Sequence, residues 1–125
     1  MLNISAELLQ NKEGLLKAIV YILDEKQASN IKVLKVEDQT SLCNYFVICD
    51  GRVSTHVLSL ADEVEARLAA AGEKTLHTEG RKEGSWAVLD YASIIVHIFD
   101  RQSREFYNLE KLWRDSENIP LENLI

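Results

Sequence analysis

The chain has 125 residues, 46% of them hydrophobic and 27% charged, with a formal net charge of −6. That length suits one domain with one core. The acidic balance lacks the Lys/Arg footprint by which proteins hold nucleic-acid phosphates without sequence preference, so a partner on a nucleic-acid machine is expected to be a basic protein. No apolar run approaches the ~18 residues of a membrane-spanning helix, residues 1–10 do not read as a signal peptide, and Cys43 and Cys49 are too few for a disulfide scaffold.

In chain order, Leu15, Leu16, Ile19, Ile22 and Leu23 recur at the spacing of one helical face, with Asn11 as a start and Gly14 weakening the first turn. Residues 31–36 follow as a short strand. The unbroken apolar run Tyr45-Phe46-Val47-Ile48-Cys49, closed by Asp50-Gly51, predicts a strand covered on both faces with Cys49 as a buried thiol. Ser54 is placed to cap a second helix, whose stripe is Val57, Leu60, Ala61, Val64, Leu68 and Ala71 and whose stop is Gly72. Its acidic residues Asp62, Glu63 and Glu65 read as a solvated face. Residues 75–78 are a strand candidate and 79–85 a polar loop. Two strands, 86–90 and 93–99, flank a tight connection at Tyr91-Ala92. Residues 101–114 read as one last helix with Phe106, Leu109, Leu112 and Trp113 turned to the core. The order predicts an α/β or α+β domain: a mixed sheet flanked by helices. The expected unit is a single domain over 1–125, its core about 11–115, with a short arm at each end.

A hairpin centred on Tyr91-Ala92 pairs Val88 with Ile95 and Trp86 with His97. Ala87, Leu89, Ile94, Val96 and Ile98 then share a wholly apolar face, the expected core. The opposite face carries Trp86, Val88, Asp90, Ser93, Ile95 and His97. Large apolar groups mixed with a few polar ones suit a docking surface, with Tyr91 exposed beside it. The alternative is that a helix covers this face too and makes Trp86 ordinary core.

His56, His77 and His97 fall on different elements with no HxxxH or HxH spacing, and no CxxC occurs. The pattern therefore offers no metal site, no cofactor and no Cys-His nucleophile. Gly51 to Ser54, between a strand and a helix, could present backbone N–H groups to a phosphate. A nucleotidyl-transferring enzyme would also need two carboxylates on the following strand, and Thr75-Leu76-His77-Thr78 has none.

Several segments taken in order carry a resemblance. They are Tyr45-Phe46-Val47-Ile48 with Gly51, Glu79-Gly80, Trp86-Ala87-Val88-Leu89-Asp90, Val96-His97-Ile98-Phe99, and the run Arg104-Glu105-Phe106-Tyr107-Asn108-Leu109-Glu110-Lys111-Leu112-Trp113. Their order and spacing over residues 10–115 resemble the ribosomal silencing factor (Iojap) family. The resemblance implies a nucleotidyltransferase-like fold without its catalytic residues. It implies a cytoplasmic, non-enzymatic repressor of translation that binds the fourteenth protein of the large ribosomal subunit at the intersubunit face and blocks joining of the small subunit. A part in large-subunit biogenesis is implied as well.

The ribosomal-protein-binding residues expected here are Trp86, Val88, Asp90, Tyr91, Ile95 and His97. Sequence-specific nucleic-acid or membrane contact is not expected, and a homodimer of the free protein is compatible. The family usually has Gly then Asp where this chain has Ala92 and Ser93; an alanine there would be strained if the turn needs positive φ. A nucleotide-binding enzyme remnant at Gly51–Ser54 and a dimerising adaptor without a ribosomal role are the competing readings.

Overall fold

Asn11 opens the first helix, α1 (Lys12–Glu25), in the computed structural model, which describes residues 2–124. Its side chain accepts a hydrogen bond from the Gly14 N–H at 2.7 Å, satisfying one of the orphan donors of the first turn. Gly14 has a steric reason to be there: a Cβ would collide with the carbonyl oxygen of Leu8. The expected stripe, Leu15, Leu16, Ile19, Ile22 and Leu23, is buried throughout.

Strand β1 (Ser29–Lys35) runs antiparallel to β2 (Tyr45–Gly51), and all seven residues of β2 are buried. Helix α2 (Ser54–Ala70) follows, burying Val57, Leu60, Ala61, Val64 and Leu68. Gly72 ends it at φ 98°, and the Glu73 N–H closes on the Leu68 carbonyl at 2.8 Å. Ser54 is not the cap. The capping position is Val53, in extended geometry and without a side-chain bond. Ser54 is already helical, whereas a capping side chain must come from the non-helical residue before the first turn.

Strands β3 (His77–Glu79), β4 (Trp86–Asp90) and β5 (Ile94–Asp100) complete the body of the sheet, and β6 (Glu117–Asn118) adds a two-residue edge. The six strands run in the order β3-β4-β5-β2-β1-β6. Only β2 and β5 are parallel; the other pairs are antiparallel. This is the mixed sheet the sequence predicts. β3 begins two residues later than the 75–78 expectation.

The sheet separates two apolar clusters. Tyr45, Val47, Cys49, Ala87, Leu89, Ile94, Val96 and Ile98 meet α1 and α2 on one face. Leu34, Phe46, Ile48 and Phe99 lie on the other. Ile119, Leu121 and Leu124 near one end of the chain, and Leu9 near the other, pack on the first cluster.

The final helix is two short ones, α3 (Arg101–Tyr107) and α4 (Leu109–Leu112), split by Asn108 at φ 44°. Asparagine tolerates this left-handed conformation better than most residues. The break rotates the expected stripe apart. Leu109 is buried and Trp113 partly so, but Phe106 and Leu112 are 81% and 76% exposed. Those two are not core residues.

Candidate docking face

The connection between β4 and β5 is longer than a tight turn at Tyr91-Ala92. Asp90 pairs with Ile95, Val88 with His97 and Trp86 with Phe99, so the register differs by two residues from the expected one. A displacement of two leaves every side chain on its expected face, because faces alternate with period two. Ala87, Leu89, Ile94, Val96 and Ile98 accordingly form core with no solvent exposure. Ala92 sits at φ 69°, the strained condition anticipated for an alanine there. The turn is held by the Ala92 N–H donating to Asp90 Oδ1 at 2.8 Å and by the Tyr91 N–H donating to the Ile94 carbonyl at 2.9 Å.

The opposite face of the hairpin carries Trp86, Val88, Asp90, Ile95 and His97, as expected. It is half covered: α3, α4 and Trp113 close over Phe46, Ile48 and Phe99, leaving Trp86, Val88, Asp90 and Ile95 partly accessible. The covering expected of a helix is thus only partial, and Trp86 is neither fully exposed nor fully buried.

Two of the six expected residues are not available to a partner. Tyr91 is 3% exposed and belongs to the first core cluster. It shares strand parity with Ala87 and Leu89, a signal that could have placed it inside. Burial, with Glu65 and Glu73 nearby, raises its hydroxyl well above the usual tyrosine range. His97 is 7% exposed beneath Trp86, and burial pushes its imidazole down to about 4.

What sequence reasoning missed is the ionic knot that fastens the covering helices. Arg104 Nη1 donates to Asp50 Oδ1 and to the Asn30 carbonyl, each at 2.6 Å. Its Nε and Nη2 donate to the two carboxylate oxygens of Glu110. Asn30 also donates to Asp50 Oδ2 at 2.8 Å. These residues line a cleft of about 350 Å³ beside the end of β2. Asp50, the residue closing the apolar run, lies on the same side of β2 as Phe46 and Ile48. Alternation along the strand was the available clue to its direction, but nothing local pointed to Arg104.

The acidic face of α2 also has a role beyond solvation. Asp62 and Glu65 both pair with Arg81, bracing the loop between β3 and β4 against the helix. Burial opposes ionisation of Glu65, but hydrogen bonds from Arg81 and Thr75 outweigh it and its pKa is lowered.

Around Gly51 to Ser54 the chain turns from β2 into α2, and a Cβ on Gly51 would crowd Val57. The nearest buried carboxylate, Asp50, is taken up by Arg104 and Asn30. Burial pushes the thiol of Cys49 up to about 12 and that of Cys43 up to about 11, which leaves negligible thiolate at neutral pH.

Fold and site together define a mixed-sheet α/β domain with one sheet face sealed by two helices and the other half open around an indole. Residues 9–125 match the family model described as ribosomal silencing factor during starvation. The chain is 31% identical to the ribosomal silencing factor RsfS of Halalkalibacterium halodurans over 92% of its own length and 98% of the relative's. It is 37% identical to that of Zymomonas mobilis over 81% and 76%. A mouse relative, 28% identical over 76% of this chain and 43% of its own length, bears the name mitochondrial assembly of ribosomal large subunit protein 1. The fold is similar to the crystal structure of a Chromobacterium violaceum protein, at TM-score 0.81 and 26% identity over 83% of this chain and 87% of that one. The chain belongs to the ribosomal silencing factor family.

Proposed function

We propose that this protein silences translation by docking the half-open sheet face on the large ribosomal subunit. The partner is a basic protein of the intersubunit face, the fourteenth of that subunit, as the family resemblance implies. Once seated, the factor blocks the small subunit by its bulk. It acts as one domain in the cytoplasm, needs no cofactor and performs no catalysis; a role in large-subunit assembly is compatible with the same contact.

The observation that carries this reading is the composition of the accessible face. Trp86, Val88 and Ile95 form a partly open apolar patch with Asp90 at its edge. Interface hot spots favour such a Trp surrounded by smaller groups. The carboxylate offers a charge-assisted bond to Lys or Arg, and the net charge of −6 favours encounter with a basic partner. The name of the mouse relative independently supports a large subunit as the target.

The test is co-sedimentation with purified large subunits, followed by addition of small subunits. Wild-type protein should travel with the large subunit and lower the yield of joined ribosomes. Trp86→Ala should weaken binding on the order of 30-fold, and Asp90→Asn should weaken it less. An unchanged sedimentation profile at excess wild-type protein would refute the proposal.

A further inference from the structure

Trp86 is held on three sides. Phe99 stacks on its ring with centroids 4.8 Å apart and planes 28° apart, and Tyr107 leans against it at 4.8 Å. On the third side its indole N–H donates to Nδ1 of His97 at 3.1 Å. An indole nitrogen can only donate. Nδ1 therefore carries no proton, and the imidazole is the neutral tautomer with its hydrogen on Nε2.

That Nε2 is buried without a hydrogen-bond partner among the described residues. Phe46 stands edge-on to the imidazole at 4.9 Å. An unpaired polar atom in such a place costs free energy that an apolar side chain would not. The bond to Trp86 is the one hydrogen bond the His97 side chain makes among the described residues. Stacking on Phe99 and Tyr107 holds the plane of the indole but does not distinguish it from the same ring flipped over about its Cβ–Cγ bond. The bond to Nδ1 does, because only one of the two orientations points the N–H at His97.

We propose that His97 is a positioning residue for docking: it does not touch the partner but locks Trp86 in one orientation before the partner arrives. The inference rests on the docking reading above. A side chain that must be ordered during association lowers affinity by roughly 2- to 10-fold, and His97 removes that cost from Trp86.

Two substitutions of nearly the same shape separate the bond from the packing. His97→Met removes a good acceptor, and His97→Gln supplies one through its amide oxygen. Each would be measured for melting temperature, for exchange of the Trp86 indole proton by NMR, and for affinity to purified large subunits. The expected result for His97→Met is roughly 3- to 10-fold weaker binding and a faster-exchanging indole proton, with His97→Gln recovering most of both. In a Trp86→Ala background, His97→Met should weaken binding no further, because its effect runs through the missing indole. Full additivity in that background would overturn the inference, as would wild-type affinity of His97→Met while Trp86→Ala is impaired; the docking reading would stand in both cases. Wild-type affinity of Trp86→Ala would overturn the docking reading and the inference with it. Should neither His97 variant fold, the wild-type indole proton still decides: slow exchange supports the lock, and exchange as fast as a free indole removes it.

Discussion

Arg104 reaches across 54 residues of sequence to place Nη1 2.6 Å from Oδ1 of Asp50, and both residues are buried. The pair joins α3 to the end of β2, and Glu110 extends the link to α4. Removing one partner strands the other in a low-dielectric site. Arg104→Ala is expected to cost about 3–5 kcal/mol, measured by denaturant unfolding. Asp50→Ala added to Arg104→Ala should recover part of the loss, since the fully buried carboxylate is then gone and the remaining partner, Glu110, is partly exposed. Simple additivity of the two substitutions would mean that the pair is not energetically coupled.

His97 makes stability depend on pH in a defined window. Its imidazole is held down to about 4 by burial, against an ordinary 6.5. The unfolded chain takes up this proton at higher pH than the folded one. The contribution is complete above pH ~6.5 and is lost as pH falls toward 4, with a slope approaching ~1.4 kcal/mol per pH unit within that range. Melting temperature should fall from pH 7 to pH 5, and His97→Gln should flatten that part of the profile. An identical slope in the variant would assign the effect to other groups.

Ala92 is a site for stabilisation. At φ 69° an L-residue is strained by roughly 1–2 kcal/mol, and a glycine gives back part of the relief through the entropy of the unfolded chain. Ala92→Gly is expected to raise stability by about 0.5–1 kcal/mol in thermal or chemical unfolding. A loss would show that the alanine methyl makes a contact worth more than the strain.

The two helix starts should respond differently to loss of a polar side chain. Asn11→Ala removes the acceptor for the Gly14 N–H and is expected to cost about 0.5–2 kcal/mol. Ser54→Ala removes no capping bond and should stay within about 0.5 kcal/mol of wild type. Parallel denaturant titrations would decide, and an equal cost at both sites would contradict the capping geometry.

Along the broken final helix, Trp113 packs edge-on to Phe46 at 5.1 Å. Trp113→Ala is expected to cost about 2 kcal/mol, below the range for a fully buried Trp because the residue is only partly covered. Phe106→Ala and Leu112→Ala change side chains that are 81% and 76% exposed and should cost less than about 0.5 kcal/mol. A large loss at Phe106 would show that the residue is packed in solution.

The sequence by itself determined whatever depends on periodicity and local chemistry. The helical stripes of α1 and α2, the fully buried strand β2 and the sorting of hairpin side chains onto two faces follow from spacing, and the Gly72 stop from residue type. Strain at Ala92 is legible only through the resemblance to a family that usually has Gly there, and the structure supplies its positive φ. The face assignment survived a two-residue difference in pairing because strand alternation has period two. The segments from Tyr45 to Trp113 also carried the family. Tertiary structure alone decided which residues of the open face remain accessible. Spacing cannot tell whether a neighbouring element will lie on a face. Here Asn108 split the last helix, Arg104 fastened the pieces to Asp50, and Leu109 and Trp113 were drawn inward while Phe106 and Leu112 turned out. His97 went under Trp86 for the same reason: burial is set by what packs against a residue from far along the chain. Tyr91 differs, because its parity with Ala87 and Leu89 made its place in the core legible in the sequence.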